Sequence, residues 1–590
     1  MPIVPLESFG LGGLNTDMPR ESLDTKFFDE GINLRGKSGA LRGVPSWNKT
    51  NTKIRTFQNN SDGSLYTSDI ASIKPVSVTQ WSRSGTEYLD VVTVGIDGSS
   101  ICHVHLLGGN LDPATQIEMT IAHPITYDTS WGIDNFIFNE MSIINGKNAP
   151  PQYSDDKIGY DRIPNWLSES YGSPITSISD KLQYEITTVT LTDWSSVGGP
   201  LSAVVGDKFD SISTSSISAL GEVKDTSPYQ VRGLSQFKGR LVALNLYNDL
   251  GDGAGSNDII EHITMAFSSS ITSRNSLSGV EWYASSTNSA GDDILTDTPG
   301  PVIDAMQLGD YLMVYKSDSV YRYSDTGNPY FLTGDTVFTD DGVLSDKCIV
   351  NIGSNRHFVV GNYGIYIHSG GPESASVSDN RVTKSFYKDL PVSKEDRGLT
   401  FAFHDTLEKE VWICYRPKSE NPLDSNKGCT KALVFDIDNN VFFNRTLPNL
   451  TDITETEVEG SQSIISASVD EPYNSSSTGY LYILNDDGSV EPDGYVRFNS
   501  RTFGMVQSIK DVYSLYPTCE KEFKVMMVGG MVPTKPDLSS VVADVYDPLS
   551  DYKEDYREFG RYITLDVGMS GSIDPSISGM SVDFLDGGIR

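Results

Sequence analysis

The sequence predicts a mainly β protein built as a β-propeller with additional small β domains. Its apolar residues fall in short runs rich in Val, Ile, Tyr and Phe, separated by turn residues such as Gly, Asn, Asp and Ser. Convincing long amphipathic helices are scarce, and the clearest short candidate begins at Pro19. Hairpin signatures begin near residues 311, 357, 399, 432 and 480, at intervals of 33–48 residues. Such an interval suits one propeller blade of about four short strands.

Each predicted hairpin has its own turn chemistry. The strand runs are 88–95 with 101–107, 311–316 with 320–323, 357–360 with 364–368, 399–404 with 410–416, 432–436 with 441–445, and 480–484 before the turn Asn485-Asp486-Asp487-Gly488. An array of β-sandwiches would give a similar spacing. Radial closure favours the propeller, because it protects the sheet edges of a chain with many short strands.

Composition divides the chain into segments of different character. Residues 1–50 have a Gly-rich start and few strong strands, which predicts an extended N-terminal arm. Residues 51–500 are expected to form the propeller, with a Ser/Thr-rich β insertion at about 165–230. Residues 501–590 have fewer turn signals and more acidic residues, which predicts a C-terminal β domain.

Charge and cysteine content exclude several classes of protein. The chain has 79 acidic and 45 basic residues, a net charge of −34, so it does not bind nucleic acid by neutralising phosphates. Its five cysteines are scattered without a CxxC pair, which supports neither a disulfide framework nor a zinc ribbon. The N-terminus does not read as a signal peptide, and no run of about 18 apolar residues predicts a membrane span. We expect a soluble chain made in a reducing compartment.

One strand carries a pattern that could bind a metal. His103 and His105 alternate along the run 101–107, so both rings would lie on one face, with Cys102 beside them. No nearby Asp, Glu or Cys completes a convincing ligand set. The expectation is therefore a strand whose histidines share a face without a metal.

Two polar segments have the composition of cation-binding or turn sequences. Residues 248–258 offer Asp249, Asp252 and Asp258 as oxygen ligands, but they lack the spacing and terminal Glu of an EF-hand loop. We expect a solvated loop there. The segment Asn485 to Gly488 is better explained as a turn, because Asn, Asp and Gly tolerate left-handed backbone angles.

No motif predicts an enzyme or a cofactor. The Gly-rich run Gly10 to Gly13 follows no strand, and neither a GxxxxGK[ST] phosphate loop nor a GxSxG elbow is present. The repeated Ser-x-Asp-x-Gly-x-x-Trp box of sialidases is missing as well. Because the chain has 79 acids, some carboxylate pair will always look suitable for glycoside hydrolysis, and such a pair would prove nothing.

A series of short matches extends over nearly the whole chain, with residues 165–230 matching least. Their order resembles that of the tail nozzle proteins of short-tailed (podovirus) phages, the tail tubular protein B-like family. The matching residues are Phe9 to Pro19; Asn33, Arg35, Gly39, Leu41, Arg42, Gly43 and Pro45; Ile144 to Gly146 and Pro150 to Tyr153; Phe237 to Leu241 and Ala243 to Asn245; Thr298 to Gly300, Leu308 to Asp310, Val314 to Lys316, Ser319 to Tyr321, Gly342 to Ser345, Tyr363 to Tyr366 and Asn380 to Val382; and Gly560 to Tyr562, Ser578 to Asp583 and Gly588 to Arg590.

The resemblance implies a structural virion protein located in the virion tail and made in the host cytoplasm. It would form a hexameric ring below the portal and its adaptor protein, carry tail fibres or spikes, and let genomic DNA pass without specific contacts. Inner loops would constrict this conduit until adsorption opens it. Subunit interfaces are expected in the arm and in the C-terminal domain, where strand addition suits exposed sheet edges.

Two other functions remain open. A carbohydrate-binding or receptor-recognising propeller would use some of the 59 aromatic residues to stack on sugars, although most belong to the core. A glycoside hydrolase is the third possibility. A nozzle subunit assembles into a ring or with the adaptor, whereas a lectin or a hydrolase needs only to bind glycans as a monomer.

Overall fold

The computed structural model shows a protein whose regular structure is almost entirely β. The described residues are 3–53, 58–59, 65–66, 73–83, 85–95, 102–108, 117–125, 132–155, 159–180, 182–248, 259–271, 276–277, 279–285, 288–327, 331–339, 341–353, 355–420, 428–458, 461–469, 479–486, 493–503, 508–533, 535–536, 543–569 and 576–586. Helical structure within them is limited to α1 (Thr383–Asp389), α2 (Lys394–Gly398) and 3₁₀ turns at Arg20–Ser22 and Ser195–Val197. None of these described helices is long and apolar enough to cross a membrane.

The N-terminal arm consists of short strands that pair with distant parts of the chain. These strands are β1 (Ile3–Leu6), β2 (Gly13–Leu14), β3 (Phe27–Phe28), β4 (Glu30–Ile32), β5 (Leu34–Lys37), β6 (Ala40–Gly43) and β7 (Ser46–Lys53). β1 and β6 pair with Ser576–Asp586, and β4 pairs with Gly494–Arg501. β7 pairs with Gly479–Asp486. The arm therefore contributes strands to three of the larger sheets.

A small hairpin and two four-stranded meanders follow the arm. Their strands are β8 (Gln58–Asn59), β9 (Leu65–Tyr66), β10 (Ile73–Arg83), β11 (Thr86–Gly95), β12 (Cys102–Gly108), β13 (Ile117–Ile121), β14 (Asp134–Phe138), β15 (Met141–Asn145), β16 (Gln152–Ser154) and β17 (Gly159–Arg162). Within each meander, β10–β13 or β14–β17, successive strands pair antiparallel. The outer strands β13 and β17 pair parallel and join the two meanders at their rims.

The Ser/Thr-rich segment folds as a separate β unit between the second and third meanders. It contains β18 (Ser168–Ile175), β19 (Ser177–Ile178), β20 (Gln183–Val189), β21 (Lys208–Asp210), β22 (Ser215–Ser216) and β23 (Gly221–Pro228). The strand order in its main sheet is β18-β23-β20-β21. Trp194, Phe209 and Ile186 lie in a hydrophobic cluster of its own, so the unit does not depend on the propeller core.

Four further meanders complete the middle of the chain. Their strands are β24 (Gln230–Phe237), β25 (Arg240–Asn248), β26 (Ile259–Phe267), β27 (Gly291–Ile294), β28 (Val302–Leu308), β29 (Tyr311–Lys316), β30 (Val320–Asp325), β31 (Leu332–Phe338), β32 (Ile349–Asn351), β33 (His357–Val360), β34 (Ile365–His368), β35 (Ser374–Ser376), β36 (Phe401–Asp405), β37 (Glu410–Tyr415), β38 (Cys429–Asp436) and β39 (Val441–Val458). Each group of four pairs in sequence order. The local pairing follows from the alternating apolar pattern and tight turns of each run.

A last meander is closed by a strand from the arm. β39 pairs with β38 up to Leu450 and from there onward with β40 (Ser461–Val469), which pairs with β41 (Gly479–Asp486) and then β7. Within β39, Asn449 has a left-handed φ of 49° next to the point where the strand changes its pairing partner from β38 to β40. One long strand thus ends the sixth meander and begins the seventh, and the N-terminal β7 supplies the outer strand.

The rest of the chain forms two sheets that include the arm. The strands are β42 (Gly494–Arg501), β43 (Lys510–Cys519), β44 (Phe523–Gly530), β45 (Asp544–Tyr546), β46 (Glu554–Gly560), β47 (Tyr562–Met569) and β48 (Ser576–Asp586). One sheet has the order β46-β43-β48-β6-β5, and the other has β4-β42-β47-β44-β45. Their apolar residues form one continuous core with the last meanders, including Phe9, Phe498 and Phe442.

The predicted fold class is confirmed: the protein is mainly β, with successive four-stranded antiparallel sheets of the propeller type. The expected hairpins at 311–323, 357–368, 399–416 and 432–445 form as predicted. The interpretation of their spacing is wrong at one point. The hairpins beginning near 399 and 432 lie in a single meander, β36–β39, so that interval measures half a blade.

Candidate functional site

The innermost strands of the meanders surround a central cavity of about 560 Å³. Seven strands of the described structure contribute to its wall, one from each meander. They supply Val78 and Thr79 (β10), Asp134 to Ile137 (β14), Leu234 to Gln236 (β24), Asp304 to Gln307 (β28), Lys347 and Ile349 (β32 and its approach), Phe401 and Ala402 (β36), and Asp452 to Thr454 (β39). This ring defines a seven-bladed propeller and its channel.

Hydrogen bonds between neighbouring inner strands run around the channel. Thr79 Oγ1 donates to the Asn135 carbonyl at 2.9 Å, and Ser235 Oγ donates to the Ala305 carbonyl at 2.6 Å. The Ala402 amide donates to the Lys347 carbonyl at 2.8 Å. These bonds satisfy polar groups that a hydrophobic blade interface would leave unpaired.

Asp452 closes the ring between the last and first blades. Its Oδ2 accepts from Ser77 Oγ at 2.7 Å and from the Val78 amide at 3.1 Å, both on β10. The Lys347 ammonium lies 3.3 Å from the same oxygen. A carboxylate that accepts several hydrogen bonds and pairs with a cation can be buried without a large free-energy cost. Asp452 therefore joins three blades.

Lys147 is the most deeply buried charge near the channel, with a side chain that is 0% exposed. Its Nζ donates to Asp134 Oδ1 at 2.7 Å and to Asp346 Oδ2 at 2.9 Å. Burial lowers the pKa of Lys147, but the two carboxylates raise it more, so its pKa lies above the ordinary value. The lysine is charged at every physiological pH and ties the second blade to the loop before β32.

Asp304 faces the same cluster from β28. Its pKa is raised from 3.8 to about 7, mainly by burial and then by the negative charges of Asp134 and Asp346, while Lys147 and the hydrogen bond from the Ala305 amide lower it. Its carboxylate accepts from its neighbour's amide, Ala305 N, at 2.7 Å and from Lys347 N at 3.3 Å. The charge of Asp304 in the channel wall therefore changes near neutral pH.

Carboxylates and one lysine are the charged groups of this wall. They are Asp134, Asp304, Asp452 and Lys347, and no His, Cys, Tyr or Arg is among its described residues. No group of three or more His, Cys, Asp or Glu side chains among the described residues could hold a metal ion. The charged groups are instead satisfied by one another.

The strand with the predicted metal pattern lies away from the channel wall. His105 is buried, and its Nε2 is 2.9 Å from Thr93 Oγ1 on the neighbouring strand β11. Burial raises the pKa of the Cys102 thiol to about 12, which makes it an unreactive core side chain. The side chain of His103 lies outside the described residues.

The other segments singled out from sequence have simple placements. Asp249, Asp252 and Asp258 lie outside the described residues, as do Asp487 and Gly488, whereas Asn485 has the left-handed φ of 55° expected of a turn residue. The expectation that no strand precedes the Gly-rich run is wrong, because β1 lies just before it, and the run packs against the propeller. A side chain at Gly13 would overlap with the Phe442 carbonyl of β39.

Sequence reasoning missed the cluster of Lys147, Asp134, Asp304 and Asp346. Asn145-Gly146 before Lys147 indicates a turn, but the φ of 63°, which is unusual for a lysine, is seen only in the structure. Its partners lie 13 and 199 positions away. No local pattern connects residues at such separations.

Comparisons with known proteins reveal only distant likenesses. No family model matches the chain, and no curated protein matches it. The WD40 domain of Neurospora crassa Pan2 is 6% identical, with 70% of this chain and 89% of that chain covered at a TM-score of 0.31. Trypanosoma rangeli sialidase in complex with the inhibitor DANA is 9% identical, with 91% and 93% covered at 0.31. YCF48 from Cyanidioschyzon merolae is 10% identical, with 70% and 96% covered at 0.24. Similarities this weak say nothing about activity.

Proposed function

We propose that this protein is a structural virion protein, a subunit of the nozzle at the end of a short phage tail. Copies would assemble into a ring of about six below the adaptor, bind tail fibres or spikes, and enclose the path of the ejected genome. The order of matching residues along the sequence suggests the family. The surface of the C-terminal sheets supports assembly.

The observation that carries the proposal is an exposed apolar surface formed by two outer strands and the connection between them. β45 and β46 are outer strands of the two C-terminal sheets. Phe559 on β46 is 64% exposed, and Leu549 and Tyr552, in the connection between β45 and β46, are 94% and 81% exposed. Large apolar side chains exposed on and beside open sheet edges are typical of surfaces that another chain covers. We assign this edge surface to contacts between copies.

The fold of the arm is consistent with a mechanical role. Strands β1, β4 and β6 pair within the C-terminal sheets, and β7 completes the seventh blade. Arg35, one of the matching residues, forms a buried ion pair with Glu410 of the sixth blade. The arm thus connects the propeller to the C-terminal sheets along many hydrogen bonds that would have to break together.

The genome path in this proposal lies between copies. The propeller channel of 560 Å³ has the size of a small-molecule cavity, and charged side chains of several blades occupy its wall. A DNA duplex does not fit such a space. The ring itself would provide the conduit, and loops of neighbouring copies would constrict it.

Light scattering tests the proposal directly. We expect the purified chain to form a ring of about six copies, or to do so on binding an adaptor–portal complex. Phe559→Lys should abolish assembly, whereas Leu407→Lys, at a similarly exposed apolar residue of the propeller, should leave it intact. A stable monomer that does not bind the complex would contradict the nozzle function and favour a carbohydrate-binding or receptor-recognising propeller.

A further inference from the structure

A second cavity, of about 310 Å³, lies beside the central channel. Arg232 of the third blade, Arg397 of α2, Asn362 of the β33–β34 turn and Asp346 contribute its polar groups. Val392 and Leu344 are among its apolar residues. Asp346 separates it from the channel, where its carboxylate is held by Lys147. The cavity is at the lower end of the volumes that bind small ligands.

Arg397 has donor capacity that the protein does not use. Its Nε donates to the Pro391 carbonyl at 2.8 Å, and its side chain is half-buried. No described carboxylate lies within ion-pair distance of its guanidinium. Buried arginines elsewhere in this acidic chain, such as Arg35 and Arg501, pair with carboxylates. An arginine that lines a cavity without an acidic partner is suited to an anion.

Arg232 adds a second guanidinium to the same cavity. Its Nη1 donates to Asn148 Oδ1 at 2.8 Å and to the Lys147 carbonyl at 3.0 Å, which fix its position. Two guanidinium groups thus line a cavity of a protein with a net charge of −34. The local charge opposes that of the whole molecule, which is a second reason to expect an anionic ligand.

Acceptor groups line the cavity as well. Asn362 uses its Nδ2 to donate to the carbonyls of Ser317 at 2.7 Å and Val343 at 3.3 Å. Its Oδ1 accepts from no described residue. Together with Asp346, it offers acceptors for hydroxyl groups, as a polyhydroxylated ligand requires.

We propose that this cavity binds a hydroxylated monocarboxylate of the size of one acidic sugar residue. The carboxylate would pair with Arg397 and Arg232, the hydroxyls would donate to Asn362 and Asp346, and Val392 would cover the apolar face of the ring. Asp346 argues against a phosphate, because its negative charge would repel a dianion more than a monoanion. The site needs only one chain and does not depend on ring assembly.

Ligand-observed saturation-transfer NMR on the full chain tests this site with D-glucuronate and D-glucose as observed probes, and inorganic phosphate, which has no C–H protons, is measured as a competitor of glucuronate. We expect glucuronate to bind in the millimolar range or tighter and glucose at least about tenfold more weakly, since a charged hydrogen bond to arginine is worth roughly that factor. Arg397→Gln should weaken glucuronate binding by about tenfold or more. Arg397→Lys should weaken it by less, because lysine keeps the positive charge but lacks the two parallel N–H donors of the guanidinium.

Arg356→Gln is the matched control. Arg356 is an exposed arginine in the turn before β33, at the opposite end of that strand from Asn362. This variant should bind glucuronate like the wild type, and equal thermal midpoints would show that all variants fold. The proposal is overturned if no probe binds, if glucose or phosphate binds as tightly as glucuronate, or if Arg397→Gln leaves glucuronate binding unchanged.

Discussion

Replacing Lys147 with Met is the most informative perturbation of the propeller. The change removes the ammonium but keeps a side chain of similar length, so packing changes little. It leaves the carboxylates of Asp134 and Asp346, 2.7 and 2.9 Å from that nitrogen, without their common partner. Asp304 stands in the same cluster, so three acids would then share a site with no lysine at its centre.

The expected loss is large because the charges are buried. Breaking a buried ion pair by removing one partner costs about 3–5 kcal/mol, since the remaining charge is left uncompensated. The entropy of unfolding is about 2.1 cal/mol/K per residue, so for a propeller of roughly 400 residues 1 kcal/mol corresponds to about 1.2 °C, and the midpoint should fall by about 4–6 °C. Lys409→Met provides the control, because Lys409 pairs with Asp438 at 3.0 Å on the surface and also has a left-handed φ, of 56°. That exposed pair contributes at most about 1 kcal/mol.

Thermal unfolding of both variants at pH 8 and pH 5, followed by intrinsic fluorescence, measures the difference. In Lys147→Met the orphaned carboxyls bind protons more readily in the folded than in the unfolded chain. A carboxyl of that kind stabilises the folded state as the pH falls. The loss of melting temperature relative to the wild type should therefore be smaller at pH 5 than at pH 8. Equal losses in the two lysine variants, or a deficit that grows at pH 5, would refute the assignment of this cluster as a charged joint.

Three further predictions concern the same propeller. Asp304→Asn should raise the melting temperature at pH 8 but not at pH 4. The pKa of Asp304 is about 7 in the folded chain and 3.8 in the unfolded chain, so its ionisation destabilises the folded state as the pH rises between these values. A lower melting temperature of the variant at pH 8 would contradict this. Asp452→Ala should lower the free energy of unfolding by about 1.5–3 kcal/mol, because the groups that donate to Asp452 are left unpaired. Asp438→Ala, at an exposed ion pair, should lower it by less than about 1 kcal/mol, and urea unfolding midpoints distinguish the two variants. Gly342→Ala should destabilise the fourth and fifth blades by about 1–3 kcal/mol, because a Cβ at Gly342 would overlap with the Lys316 carbonyl. Unchanged hydrogen-exchange protection of the amides in β29 would contradict this prediction.

Local features of the fold were predictable from the sequence, whereas its closure was not. The hairpin at 311–323 follows from alternating apolar residues on both sides of a short polar turn, and these signals lie within 13 residues. The closing pair β41 and β7 joins residues more than 400 positions apart, such as Leu484 and Trp47. The predicted strand runs 399–404 and 432–436 look alike in sequence, so nothing local indicates that the strands they form, β36 and β38, share one blade.

The channel was beyond sequence reasoning for a related physical reason. Asp134, Asp304 and Asp452 are ordinary acidic residues among 79, and only the radial arrangement of the blades brings them together. The contact of His105 with Thr93 on the neighbouring strand β11 likewise joins residues that no local pattern connects.

The pairing of the arm with late strands has a consequence for how the chain is made. β7 emerges from the ribosome more than 400 residues before its partner β41, and β1 waits for β48 until translation is almost complete. At about 5–20 residues per second, the arm stays without its native partners for roughly 20–100 s. During that time its strand edges are open to pairing with other nascent chains, and such long-range pairing is intrinsically slow. Synthesis from neighbouring ribosomes therefore creates a period in which β7 of one chain can complete the seventh blade of another, a domain swap that would link copies before they ever meet as folded subunits.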